Sequence, residues 1–253
     1  MSGPEKKKVG ITGESGFIGS RLREMVREEG GMIRIPFEDT FFEKEEALRD
    51  FVRQCDGVVH LAARNRPSDH PEVYETNVRL TERLVRALEQ TEAPPTVVFA
   101  SSIREGEDTA YGQSKKVCRE RLEAWAERSG ASVTILRIPN VFGPGARPFD
   151  NSFIATFAHQ LIHGQQPVVT EAREVPLIRV DSLCRQVVSL LRDTEQGRPA
   201  VVRREITPDF RMPVAEVLRT LEGFWSEYRS TGVVAVPADR NRASLREAFL
   251  CYF

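Results

Sequence analysis

Cysteine is scarce and scattered in this chain. Cys55, Cys118, Cys184 and Cys251 are its four cysteines, and no two have the spacing of a zinc ribbon or a redox pair. That scatter argues against a disulfide framework and for reduced thiols in a reducing compartment. Long apolar runs are missing too: none approaches the roughly 20 residues a spanning helix requires. The opening Met1-Ser-Gly-Pro-Glu-Lys-Lys-Lys8 is positive but has no apolar stretch before the first strand, so no secretory leader is expected. Excess charge of one sign is also lacking. A formal net charge of −1, with 29% charged residues of mixed sign, provides no global field for nucleic acid or a membrane surface. Neither internal repeats nor low-complexity tracts occur. The expectation is a cytoplasmic globular protein whose 253 residues suit one α/β domain with a small appended lobe.

What is present is a regular alternation. Strand-like runs at Lys8–Thr12, Met32–Phe37, Gly57–Leu61, Thr96–Ala100 and Ser132–Ile138 are separated by helical patterns at Phe17–Glu29, Glu43–Gln54, Pro71–Gln90 and Tyr111–Arg128. Such alternation predicts a Rossmann-type, doubly wound parallel sheet covered on both faces. After about Asn140 the rhythm breaks at Gly143-Pro144-Gly145 and Pro148. Helices are expected at Ser152–Gly164, Asp181–Asp193 and Pro213–Gly223, with short strands between. Residues 1–139 are therefore read as mainly a dinucleotide-binding core. Residues 140–253 are read as mainly a substrate-binding lobe with some segments returning to the core.

The first strand runs into Thr12-Gly13-Glu14-Ser15-Gly16-Phe17-Ile18-Gly19. Glycines 13, 16 and 19 between a strand and a helix permit a tight turn and close approach of a pyrophosphate to the free N–H groups of the helix start. Phe17 and Ile18 complete the motif, where an ordinary strand-to-helix turn would need none of this. Asp39 follows Gly19 by twenty positions, and a carboxylate there accepts the adenosine ribose hydroxyls and repels a 2′-phosphate. Glu14 acts in the same direction, while nearby Arg34 acts against it. NAD(H) is thus favoured over NADP(H). His60-Leu61-Ala62-Ala63 ends the third strand with small residues that let backbone pass close to a flat cofactor. Asn77, in the following helix, is either an organiser of the site or a satisfied core amide.

Tyr111 and Lys115 lie four residues apart, on one face of a helix. A lysine so placed favours the phenolate, bringing a group with a pKa near ~10 toward proton exchange at neutral pH. Ser102, emerging just past an apolar strand, is the preferred hydroxyl for holding the reacting oxygen, with Ser101 as its rival. His159 and His163 are spaced for one helix face but lack a third ligand, so no metal site is expected. Arg173 and Arg179 could pair with phosphates, or simply with the neighbouring acids.

These motifs, with Arg137-Ile-Pro-Asn-Val-Phe-Gly-Pro144, resemble the extended short-chain dehydrogenase/reductase superfamily, in its nucleotide-sugar epimerase/dehydratase branch. The short step from Ser102 to Tyr111, together with His60-Leu-Ala-Ala-Arg-Asn-Arg-Pro67 and Asn151-Ser-Phe-Ile-Ala-Thr-Phe157, is similar to the reductase half of bacterial capsular-polysaccharide reductase–cupin enzymes. Those act at C4 of UDP-linked amino-deoxysugars. The resemblance implies that Lys115 also grips the nicotinamide ribose and that Asn140 and Asn151 face the substrate's diphosphate or sugar. It implies a homodimer and, as no cupin is present here, a separate cupin-type partner. The resulting expectation is an NAD(P)-dependent oxidoreductase that reduces a 4-keto nucleotide sugar. A C4 epimerase with tightly bound NAD is the first alternative, and a non-catalytic cofactor-binding partner or sensor the second.

Overall fold

The computed structural model describes residues 6–65, 71–150, 152–169, 173–193 and 200–253. The chain divides into two compact units, one of Met1–Ile138 with Cys184–Ile206, the other of Pro139–Leu183 with Thr207–Phe253.

The first unit is built on a six-stranded parallel sheet. Its strands are β1 (Lys7–Thr12), β2 (Met32–Ile35), β3 (Gly57–His60), β4 (Thr96–Ser102), β5 (Ser132–Ile138) and β8 (Ala200–Glu205), in the order β2-β1-β3-β4-β5-β8. Every residue of β3 and β4 is buried, as expected of central strands covered on both faces. Winding reverses between β1 and β3, where Thr12 and His60 are register partners. A crevice outside the carboxyl ends of strands at such a reversal is where ligands bind in open α/β sheets.

Helices α1 (Phe17–Glu28), α2 (Glu45–Arg53), α3 (Pro71–Glu89) and α4 (Ala110–Ser129) connect the strands. Thr109 caps α4 by accepting the Gly112 amide at 3.0 Å, and Gly130 ends the helix with φ of +68°. That cap fixes the helix start and so places Tyr111 in the first turn.

One strand is shorter than its pattern predicts. β2 stops at Ile35 because Pro36 has no N–H for the ladder. Phe37 instead turns inward, 5% exposed, with its ring edge-on to Phe41, Phe42 and Phe51. Asp39 accordingly opens a 3₁₀ turn, Asp39–Glu43, rather than ending the strand.

The second unit holds a three-stranded sheet of β6 (Asn140–Phe142), β7 (Glu174–Arg179) and β9 (Phe210–Pro213). β7 is central, parallel to β6 and antiparallel to β9. Helices α5 (Phe153–Ile162), α7 (Val214–Thr231) and α8 (Arg240–Leu250) share a core with it through Phe142, Phe157, Leu177, Leu221 and Phe249. α6 (Val180–Asp193) begins in this unit and ends in the first. α7 runs well past Gly223, which is accommodated as an ordinary helical residue, and stops at Gly232 with φ of +75°. α8 is an element the sequence pattern did not suggest; Asp239 caps it by accepting the Arg242 amide at 2.8 Å.

Candidate active site

The glycine turn is shaped by backbone packing. Gly13 has φ of +72°, and a Cβ there would stand 2.9 Å from both the amide nitrogen and Cα of Ala62. A Cβ on Gly19 would collide with the Gly13 carbonyl and come within 2.7 Å of Glu14 Cα. The Gly16 amide closes the turn on the Gly13 carbonyl at 3.1 Å. α1 then starts without a side-chain cap or an acidic residue in its first turn, so its leading N–H groups remain available to an anion. Phe17, Ile18, Leu61, Ala62 and Ala63 are all partly exposed around this turn. A cradle that any side chain would fill, open to donors at a helix start, fits a dinucleotide pyrophosphate.

Behind the turn lies a buried polar chain. Thr12 Oγ1 is 2.7 Å from Nδ1 of His60, whose Nε2 is 3.1 Å from Thr81 Oγ1 on α3. Thr12 also accepts the Ala62 amide at 3.3 Å. Burial, aided by the nearby Lys115 charge, pushes the His60 pKa down to about 3, so the ring is neutral. Asn77 joins the next two pieces: its Oδ1 accepts the Arg64 amide at 2.7 Å, and its Nδ2 donates to Arg64 O at 3.1 Å and Ser114 Oγ at 3.0 Å. The segment after β3 is thereby tied to α4, one turn from Tyr111.

Lys115 is 4% exposed and donates to the Ala100 carbonyl at 2.7 Å. Its ammonium stands 5.0 Å from the centroid of Phe99 and 5.6 Å from that of Tyr111. Ser101 and Ser102 end β4. Ser101 donates to Glu105 at 2.5 Å, and Glu105 also accepts from Arg119 at 2.5 Å. Arg104 pairs with Glu107 at 2.8 Å. Ser102 Oγ accepts the Arg104 amide at 3.2 Å.

Several contributors escaped the sequence reading. A Cβ on Gly112 would meet the carbonyls of Arg104 and Glu107 at 2.6 and 2.7 Å, so glycine lets the turn after β4 lie against α4. A glycine inside a helix, costing about 1 kcal/mol relative to alanine, was the signal for it. Thr81 carried no motif-level signal, and Glu105 was legible only as an acid placed in a turn.

Asp39 sits at the rim of the glycine turn, where Ser15 donates to it at 3.2 Å. The sequence-nominated phosphate ligands lie in the second unit. Asn140 Nδ2 donates to the Pro176 carbonyl at 3.2 Å. The Arg179 guanidinium is engaged by Glu247 and, at 3.4 Å, by Asp181, so it acts first as a structural cation. Arg173 is exposed just before β7, and Asn151 lies outside the described residues. Rings of His159 and His163 lie with centroids 4.0 Å apart and planes tilted by 31°, and among the described residues no cluster of His, Cys, Asp and Glu could hold a metal ion. Nor is any described helix long and apolar enough to cross a membrane.

Comparisons with known proteins show the family and the fold. The chain is 31% identical over 238 residues to a UDP-2-acetamido-2,6-beta-L-arabino-hexul-4-ose reductase of Pseudomonas aeruginosa, covering 93% of this chain and 62% of the relative. The chain therefore spans less than two thirds of that relative's length. The capsular polysaccharide assembling protein CapF of Staphylococcus aureus superposes with a TM-score of 0.75 at 25% identity, over 97% of this chain and 64% of CapF. The UDP-glucose 4-epimerase of Thermotoga maritima shares the fold, with a TM-score of 0.75 at 17% identity over 97% of this chain and 98% of its own. The sequence profile of the NAD dependent epimerase/dehydratase family matches residues 9–202. Profile, glycine cradle and parallel sheet agree: this chain belongs to the NAD dependent epimerase/dehydratase family.

Proposed function

We propose that the chain reduces the 4-keto group of a UDP-linked deoxy-amino sugar. The observation that carries this reading is the commitment of Glu105 and Glu107 in the turn before α4; Asp108, the third acid of that turn, is exposed. Glu105 is held by Ser101 and Arg119, and Glu107 by Arg104. A dehydratase needs an additional acid/base pair there, whereas a simple ketone reduction needs only one proton donor. The 4-ulose reductase relative points the same way.

The nicotinamide cofactor, when bound, supplies the hydride. Tyr111, at the start of α4, donates the proton that the carbonyl oxygen takes up. Lys115, whose ammonium stands over the Tyr111 ring, holds the ribose. Ser102 hydrogen-bonds the reacting oxygen and fixes its orientation. The diphosphate belongs, in this reading, with Asn140, Asn151 and Arg173 of the second unit, while Arg179 supports the fold through Glu247 and Asp181.

The same proposal includes a cytoplasmic location, for which the free thiols of all four cysteines speak. It also includes a homodimer and a separate cupin-type partner, which size-exclusion chromatography of the chain alone and mixed with such a protein would test. Incubation with reduced cofactor and a UDP-linked 4-keto sugar tests the reaction itself.

A further inference from the structure

Glu14, inside the glycine turn, is 7% exposed, which is unusual for an acid among backbone amides. Its carboxylate takes both arms of one guanidinium: Arg34 Nε donates to Oε2 at 2.9 Å and Nη2 to Oε1 at 2.6 Å. Arg34 lies in β2 opposite Val9 of β1, one residue before the strand ends. Its side chain remains about a quarter exposed, so it can reach solvent or a ligand. The hydrogen bonds that Arg34 donates to Glu14 hold the Arg34 pKa above its usual value, and the guanidinium stays charged. Next to the pair, Ser15 holds Asp39 at 3.2 Å. The glycine turn and the end of β2 are the two segments that flank the adenosine ribose in dinucleotide-binding folds. Two carboxylates and one cation therefore gather where NAD and NADP differ.

A planar guanidinium is the natural partner of a 2′-phosphate because its paired N–H groups match two phosphate oxygens. Here that fork is already spent on Glu14. We propose that Glu14 sets the cofactor choice by sequestering Arg34, so that the pair is a latch against the 2′-phosphate and its release admits NADP(H). This rests on the reading of the glycine turn as a dinucleotide site and adds to it the residue that discriminates. Asp39 supports the choice by contributing negative charge, but Glu14 controls the only basic group in this cluster of three.

Removing the Glu14 charge while keeping its shape isolates the effect. Dissociation constants for NADH and NADPH, measured by calorimetry or nicotinamide fluorescence on the whole chain, need no sugar substrate. The unmodified protein is expected to bind NADH more tightly. Glu14→Gln should tighten NADPH by about ten- to a hundredfold, the range of one charge-assisted hydrogen bond, and change NADH only a few-fold. In Glu14→Gln/Arg34→Gln that gain should disappear. Retained NADH binding reports that each variant is folded, and Glu14→Ser supplies a smaller alternative if the glutamine does not fit. Unchanged NADPH affinity in a variant that still binds NADH would overturn the latch, as would a gain that survives loss of Arg34. An unmodified chain that binds neither dinucleotide would overturn the family-based reading and the latch together.

Discussion

Ser101 donates its hydroxyl hydrogen to Glu105 at 2.5 Å, while its neighbour Ser102 only accepts, from the Arg104 amide at 3.2 Å. Two adjacent hydroxyls at the end of one strand thus have different freedom. The Ser101 proton is committed to a carboxylate that is itself pinned by Arg119. The Ser102 proton is available for a substrate oxygen, which is why the proposed reaction assigns the reacting oxygen to Ser102.

Replacing the two serines separately should therefore give unequal results. Ser102→Ala is expected to lower kcat by roughly 10²-fold or more, the lower end of what positioned proton-transfer partners contribute. Ser101→Ala should stay within a few-fold of the unmodified enzyme and lose some thermal stability, because the partly buried Glu105 carboxylate loses one donor. The reverse ranking in steady-state assays would reassign the catalytic hydroxyl to Ser101.

The glycine cradle makes a prediction independent of any sugar. A methyl group at residue 19 has no space beside the Gly13 carbonyl, so Gly19→Ala must displace the turn that receives the pyrophosphate. Dinucleotide affinity should fall at least about tenfold, equivalent to losing one well-placed hydrogen bond to a charged group. By contrast, Gly30→Ala, at a position where a Cβ meets nothing within 4 Å, should bind the cofactor normally. Equal affinity in both variants would remove the turn from the binding site.

His60 gives the fold a pH dependence of defined sign. Its folded-state pKa, about 3, lies below the ordinary value near ~6.5, so on acidification the unfolded chain takes up the proton first. The stability owed to a neutral His60 is complete above pH ~6.5 and drains away as pH falls toward 3. Urea unfolding of the natural chain and of His60→Gln should show a stability gap that narrows by about 2 kcal/mol between pH ~7 and ~5. A gap that holds constant or widens would mean that the ring is already protonated in the folded protein.

The central strands of the parallel sheet were legible because they are apolar runs and the first turn carries glycine, both local properties; edge strand β8, with exposed Arg204 and Glu205, gave no such signal. Tyr111 and Lys115 were legible because helical spacing fixes which side chains share a face. Pairings across the chain were not. Nothing in the sequence joins Glu14 to Arg34, twenty residues away, or Ser101 to an acid in a turn crowded with acids. Arg179 looked like a phosphate ligand for the same reason: its partner Glu247 comes from α8, a helix whose apolar residues were too sparse to suggest it. The early stop of β2 could have been anticipated from Pro36, but not the inward turn of Phe37, which depends on the ring cluster that receives it.

The central claim is a net reduction at C4 that depends on Tyr111. Its most direct measurement follows the absorbance of reduced nicotinamide when the purified chain meets a UDP-linked 4-keto deoxy-amino sugar, with the sugar product identified by NMR. The account predicts one equivalent of cofactor oxidised per 4-hydroxy sugar formed. In Tyr111→Phe, which loses only the phenolic hydroxyl, turnover should drop by roughly 10²–10⁴ while NADH still binds. Inversion at C4 without net cofactor consumption would identify an epimerase instead. No reaction from a chain that binds NADH, or full activity in Tyr111→Phe, would contradict the account.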